Sequence, residues 1–281
     1  MDNLFTGINI MKIIGKFFIV VSFAISAWGL NADRAVASIE WVDLKVEGAD
    51  SVRAAFGVVK GKKSPAVIFS HGTAVRRFGH QGSIDKANMD ITDYVKELNK
   101  MGYIAIAPVR SHLSDTAYVQ RGGTVGSTDD WIAVIENGIQ VVKAARIFLT
   151  SNANVDPNRI AIMGFSEGGN ITLWSATRES GYRAVVLLSP ATIRDARRYN
   201  LKQATKKNNL SSIDAPVFLA VGEDDIRSIR KIISRRLIPN LQDLGKTLDF
   251  HIDYPGGHKW FYEPRDALLN DLKPFLAKYL R

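Results

Sequence analysis

In the hexapeptide GFSEGG, Gly164, Ser166 and Gly168 are spaced as G-x-S-x-G, the pattern that lifts a serine on a sharp turn between a strand and a helix. RIAIM runs into the hexapeptide and NITLWSAT leads out of it. The first is an apolar run of strand length, and the second can form a helix. The glycines answer a steric need, because the turn holds an unfavourable backbone and crowds its neighbours. The chemistry expected is attack by the Ser166 hydroxyl on an acyl carbon. The amide of Glu167, at the positive start of the following helix, stands ready for the oxyanion.

A hydroxyl is a weak nucleophile near neutral pH and needs a base. Five histidines are available: His71, His80, His112, His251 and His258. His251 lies inside the alternating run TLDFHIDY and reads as a strand-face residue. His258 follows in the loop YPGGHKWF, whose glycines let an imidazole reach back over a sheet edge. Three carboxylates, Glu223, Asp224 and Asp225, close the run PVFLAVGEDD.

Taken in order, the segments SHG, GFSEGG, VGEDD and GGH resemble those of the dienelactone hydrolase-like and related esterase branches of the α/β-hydrolase superfamily. The resemblance covers nearly all of the chain after residue 37. It implies the chain order Ser, acid, His, which leaves His251 and His258, and of these the loop residue His258 is preferred. A G-x-x-D segment maps onto Gly222–Asp225 and implies Asp225 as the acid, with Asp224 in reserve and Glu223 third. The HG segment falls on His71 and Gly72, which implies the amide of Thr73 as second oxyanion donor and a structural role for His71. One departure stands out: dienelactone hydrolases proper use cysteine, and this chain has serine and no cysteine at all. The reaction implied is therefore hydrolysis of an ordinary carboxylic ester through an acyl-enzyme. A serine peptidase, an acyltransferase and a catalytically silent binding protein on the same fold are the alternatives.

These residues need a scaffold, and the rest of the sequence supplies its elements. IEWVDLKVEG and VRAAFGVVKG predict an antiparallel pair. Ala66–Ser70, YIAIAPV, RIAIMGF, Ala184–Leu188 and PVFLAVG are the continuous apolar runs of strands buried on both faces. A polar, glycine-containing loop is expected after SHG, a helix over 86–101 closed by Gly102, and a helix through WIAVIENGIQVVKAARIFLT capped by Thr128 and Asp129. Asp156 and Pro157 mark a turn, 170–177 and 229–244 are helices, TLDFHIDY is a strand, and a helix over 265–279 ends the chain. The alternation predicts an α/β-hydrolase fold, a mostly parallel sheet covered by helices on both faces. The irregular basic stretch 191–213 is expected to act as a short cap. Arg110, His112, Tyr118, Arg194 and Arg198 are pocket candidates by location alone.

Composition narrows the function classes. With 46% hydrophobic and 23% charged residues among 281, the chain has the balance of a folded globular protein. The absence of cysteine excludes disulfides, zinc–thiolate sites and iron–sulfur clusters. GVVKGKKS lacks the spacing of a phosphate loop, no G-x-G-x-x-G occurs, and no cofactor or metal is expected. Residues 1–37 read as a signal peptide, with Lys12 and Lys16 before the apolar run Phe17–Leu30 and small residues Ala35 and Ala37 before Ser38. Translation is expected to start at Met1 or Met11. The apolar run is shorter than the ~20 residues a membrane span needs, so the mature domain, 38–281, is expected in the periplasm or secreted. The net charge is +9; residues 1–37 carry three basic and two acidic side chains, which leaves +8. Basic clusters at Arg76 and Arg77, Arg194–Lys207 and Arg227–Arg236 lack interleaved aromatics and read as solvated helix faces, with no nucleic-acid partner expected.

Overall fold

The computed structural model of the chain describes residues 38–59, 63–110 and 128–280. Residues 1–37, expected as a signal peptide, residues 60–62 of GVVKGKKS and the pocket candidates His112 and Tyr118 lie outside them.

Among the described residues eight strands form one sheet: β1 (Ile39–Leu44), β2 (Val52–Gly57), β3 (Ser64–Ser70), β4 (Ile104–Pro108), β5 (Val155–Phe165), β6 (Ala184–Leu188), β7 (Val217–Gly222) and β8 (Leu248–Tyr254). Their order across the sheet is β1-β2-β4-β3-β5-β6-β7-β8. The first two pairings are antiparallel, β1 with β2 and β2 with β4; every later one is parallel. This is the α/β-hydrolase fold.

Side chains alternate across the pleat, so each apolar run feeds two cores. Ile68, Ile106, Ile162 and Leu187 pack on one face against helices α3 (Thr128–Ser151) and α4 (Glu167–Arg178) through Ile135, Ile139 and Ile171. Phe69, Ala105, Met163 and Leu188 pack on the other face against α2 (Ile91–Lys100) and the C-terminal α9 (Asp266–Leu280). Tyr94, Leu98, Leu272 and Phe275 fill that side. Both faces are covered, which is why the central strands read as unbroken apolar runs.

Several elements differ from the sequence expectation. Helix α1 (Thr73–Ala87), broken at Gly79, occupies the stretch expected as a loop after SHG. Asn88, in the left-handed region with φ 52°, ends it, and the Asp90 carboxylate accepts the Thr92 amide to start α2. The helix expected over 86–101 is thus two helices, divided by a side-chain cap. Thr128 and Asp129, expected as caps, stand at the first positions of α3. Asp156 and Pro157 do turn the chain, but inside β5: the register with β3 jumps between Ser64 and Ala66, and the Asp156 carboxylate accepts the Asn158 amide. Residues 191–213 form a 3-10 turn (Arg194–Tyr199) and two one-turn helices, α5 (Leu201–Ala204) and α6 (Lys207–Leu210). Their Ile193, Tyr199, Leu201 and Leu210 side chains join the core on the α4 side. The helix expected over 229–244 starts earlier, at α7 (Arg227–Ile232), widens into a π turn (Ile233–Leu237) and continues as α8 (Ile238–Asp243). Pro239 has no amide hydrogen to give an i→i−4 bond there. Among the described residues no helix is long and apolar enough to cross a membrane.

Candidate active site

Ser166 sits between the end of β5 and the first turn of α4 with φ 55° and ψ −117°, a conformation a side chain rarely adopts and that costs of order 1–3 kcal/mol. Three backbone hydrogen bonds hold it there. The Ser166 amide donates to Leu188 O at 3.0 Å, and its carbonyl accepts from Ala191 N at 2.8 Å and Asn170 N at 3.1 Å. The motif glycines are required by close approach. A Cβ on Gly164 would lie 2.3 Å from Gly168 O, and one on Gly168 only 1.9 Å from Ser70 O.

The structure brings Ser166, His258 and Asp225 together. Ser166 Oγ lies 2.8 Å from His258 Nε2, and His258 Nδ1 lies 3.0 Å from Asp225 Oδ1. His258 opens a short 3-10 turn (His258–Tyr262) just beyond β8, and Asp225 follows β7. The loops carrying them are tied by the Glu223 amide to Tyr254 O and the Asp224 amide to Gly256 O. Gly256 has φ 123°, open to glycine but strained for other residues. Of the three carboxylates after β7, Glu223 and Asp224 are exposed, whereas the Asp225 side chain is fully buried.

Ser189 is a fourth member that sequence reasoning missed. Its hydroxyl donates to Asp225 Oδ2 at 2.5 Å and lies 2.9 Å from His258 Nδ1. Like Ser166 it is a non-glycine residue at positive φ, 42°, and it is completely buried. The Ile226 amide adds a third donor to Asp225, at 2.6 Å. Burial pushes the Asp225 carboxyl up, but the hydrogen bonds from His258 and Ser189 outweigh it and hold the carboxyl below its usual range. The signal for Ser189 was its place: a small polar residue one step past an apolar strand, on the same carboxyl edge as the other three.

The two residues expected to offer oxyanion amides, Thr73 and Glu167, are the first residues of α1 and α4, where an amide has no carbonyl one turn back. Neither amide meets an acceptor among the described residues. Their side chains touch: Thr73 Oγ1 donates to Glu167 Oε2 at 3.0 Å. Glu167 is completely buried and also receives Arg76 Nε, at 2.9 and 3.0 Å from its two oxygens, and Arg110 Nη2 at 3.2 Å. Burial raises the Glu167 carboxyl, but Arg76 and Arg110 overcome this and hold it below its usual range. Burial pulls Arg110 down to about 10.

The remaining candidates lie elsewhere. His71 is fully buried, with Nε2 accepting the Arg110 amide and Nδ1 donating to Gly72 O. Burial and the Arg110 charge keep it neutral by lowering its pKa well below the usual value. His80 pairs with Asp90, and His251 lies on β8 against Asp249 and Asp271. Arg76, expected on a solvated face, is buried; Arg77 is exposed. Arg110 belongs to the Glu167 cluster. Arg194 is exposed and Arg198 pairs with Glu136 at the surface, so neither lines the cavity at Ser166. Among the described side chains of 191–213, Ala191 and Thr192 reach that cavity. Its volume is about 390 Å³, and apolar Phe165, Ile226 and Ile229 share its walls with Thr73, Ser228 and Tyr262. Among the described residues no group of three or more His, Asp and Glu side chains could hold a metal ion.

Solved structures share this fold. A dienelactone hydrolase-like promiscuous phosphotriesterase from metagenomic libraries is 15% identical, with a TM-score of 0.59 over 88% of this chain and 100% of that one. A Pyrococcus furiosus esterase is 18% identical, with a TM-score of 0.58 over 89% and 96%. A puromycin-hydrolyzing peptidase from Mycobacterium tuberculosis is 18% identical, with a TM-score of 0.65 over 87% of this chain but 39% of its own. No curated protein matches the sequence. Residues 55–273 match the dienelactone hydrolase family, a span holding every residue of the site just described, and the chain is accordingly a member of that hydrolase family.

Proposed function

We propose that the protein is a serine hydrolase that cleaves carboxylic esters of small molecules. The observation that carries the reading is the unbroken relay from Ser166 Oγ through His258 to Asp225, at 2.8 and 3.0 Å. Hydrogen-bond reach from nucleophile to base, and from base to an orienting acid, is what acyl transfer requires.

Ser166 Oγ attacks the acyl carbon while its proton passes to His258 Nε2. The carbonyl π pair moves onto oxygen, and the amides of Glu167 and Thr73 hold that oxyanion. His258 then protonates the leaving alcohol oxygen as the carbon–oxygen bond breaks, leaving the acyl group on Ser166. Water attacks next, giving its proton to His258, and collapse of the second intermediate returns the proton to Ser166 and releases the acid. Asp225 stays ionised throughout, in keeping with its lowered pKa, and stabilises the imidazolium formed at each attack.

The cavity favours an ester with uncharged acyl and alcohol groups, since His258 is the sole titratable side chain of Asp, Glu, Lys, Arg or His type among its described walls. Export after loss of residues 1–37 belongs to the same proposal. Wild-type protein should take up a fluorophosphonate and hydrolyse chromogenic short-chain esters faster than the matching amides, and Ser166→Ala should do neither. Hydrolysis retained in Ser166→Ala would exclude the proposed nucleophile.

A further inference from the structure

The two amides proposed to hold the oxyanion belong to different helices, and the sheet does not fix their separation. The last β3–β5 pair is Ser70 with Gly164, and both amides lie beyond it. Beside the close backbone approach of Gly168 to Ser70 and His71, a buried side chain joins them. Glu167, which offers one amide from its backbone, sends its carboxylate inward to the hydroxyl of Thr73, which offers the other. Arg76, one turn further along α1, shares its single Nε–H between both oxygens of the same carboxylate. Its guanidinium in turn rests over the Trp131 ring at 5.2 Å.

Stability is a poor reason for such a cluster. Stripping water from a carboxylate and two guanidiniums costs several kcal/mol per ion, and apolar side chains of similar volume would often give an equally stable core. A charge-assisted hydrogen bond supplies direction instead: the one Nε–H of Arg76 is shared between both Glu167 oxygens, which centres the carboxylate on it. Oxyanion donors need that control: they must meet the developing charge at about 2.7–3.1 Å, and losing one costs roughly 10²–10³-fold in rate.

We infer that Arg76, acting through the Glu167 carboxylate, is a positioning residue that sets the spacing of the Thr73 and Glu167 amides. Arg76 touches neither Ser166 nor the cavity, so its effect is indirect. The inference rests on the serine hydrolase reading, and its test separates the two. Full-length wild type, Arg76→Lys and Thr73→Val are compared on a 4-nitrophenyl ester and with phenylboronic acid. Boron accepts Ser166 Oγ as the serine proton passes to His258, giving a tetrahedral anion that mimics the intermediate.

In Arg76→Lys a flexible ammonium replaces the planar guanidinium whose Nε–H lies between the two oxygens. The expected loss is about 10- to 100-fold in kcat with KM within about threefold, less than removal of a donor because the amide is displaced and not deleted. Boronate affinity should fall in step with kcat. Thr73→Val keeps the amide and the side-chain shape but cuts the link to Glu167, and should lower kcat and boronate affinity about fivefold, about one hydrogen bond's worth. Arg76→Lys with a lowered melting temperature but wild-type kcat and boronate affinity would overturn the inference. Should Arg76→Lys fail to fold, wild-type kcat in Thr73→Val would overturn it alone. An active, fluorophosphonate-labelled wild type with unaffected variants refutes the positioning role only; an unlabelled, inactive wild type refutes the hydrolase reading and the role together.

Discussion

The site has two arms that solve opposite electrostatic problems. At the ends of β6, β7 and β8, Asp225 is held by neutral donors, the Ser189 hydroxyl and the Ile226 amide, together with the imidazole it serves. At the ends of β3, β4 and β5, Glu167 is held by two guanidiniums and a hydroxyl. In the proposed mechanism the first arm includes a group that gains and loses a proton in every cycle, and the His258 side chain keeps 18% of its surface exposed. The second must keep one charge state throughout, and both Arg76 and Glu167 are shut away at 3% and 0%. A permanent ion pair beside the imidazole would bias its protonation. Beside the proposed oxyanion amides it leaves the proposed cycle undisturbed, because no group there exchanges a proton with the substrate.

The largest effect should come from breaking the first arm. Asp225→Asn keeps the shape but turns an acceptor into a group that presents a donor to one ring nitrogen, favouring the wrong imidazole tautomer. The kcat should fall by about 10⁴-fold with fluorophosphonate labelling slowed in parallel. Asp224→Asn and Glu223→Gln, both on exposed side chains, should stay within about twofold, as surface substitutions do. Steady-state kinetics on one ester checks all three; a larger loss in Asp224→Asn than in Asp225→Asn would move the acid to the reserve position.

How legible the two arms were in the sequence follows the same division. The fold was readable because buried parallel strands leave continuous apolar runs, and β3 to β7 all do. Ser166 announced itself through glycines that no other residue can replace, and His258 through its loop after an alternating strand. Ser189 had no such marker, since a serine before proline is ordinary until its neighbours in space are known. Arg76 was misread for a related reason. Beside Arg77 it looks like half of a solvated pair, and only its carboxylate partner 91 positions away shows that one of the two points inward. Helix breaks at Asn88 and Asp90 were obscured because side-chain caps use residue types common in loops and helices alike.

Ser189 offers a smaller and sharper break in the first arm. Ser189→Ala removes a hydrogen bond to a buried carboxylate, worth about 1.5–3 kcal/mol, so kcat should fall roughly 10- to 100-fold. Ser189→Gly removes the same hydroxyl but relieves a backbone held at φ 42°, a strain of about 1 kcal/mol or more. The two variants should therefore match in kcat while the glycine variant melts higher than the alanine one. Equal melting temperatures would mean the positive φ stores no strain; full activity in either variant would remove Ser189 from the arm.

The smallest effect is on stability at acid pH, and it tests whether a carboxylate without a guanidinium partner is held ionised by His258 and Ser189. The Asp225 carboxyl titrates lower in the folded chain than in the unfolded one: burial opposes this, but the bonds from His258 and Ser189 prevail. The unfolded chain therefore binds the proton first as pH falls. The contribution to stability is complete above the unfolded value, near 3.9, and is lost as pH drops through the lower folded value. Denaturant unfolding followed from about pH 6 to pH 3 should show stability declining in wild type and declining less steeply in Asp225→Asn, which has no proton to bind. A residual slope belongs to Glu167, and to Asp90 and Asp156, whose carboxyls are also held low. Parallel curves for the two proteins would mean that His258 and Ser189 do not depress Asp225, and that holding an ionised carboxylate in this site takes guanidiniums such as those on the other arm.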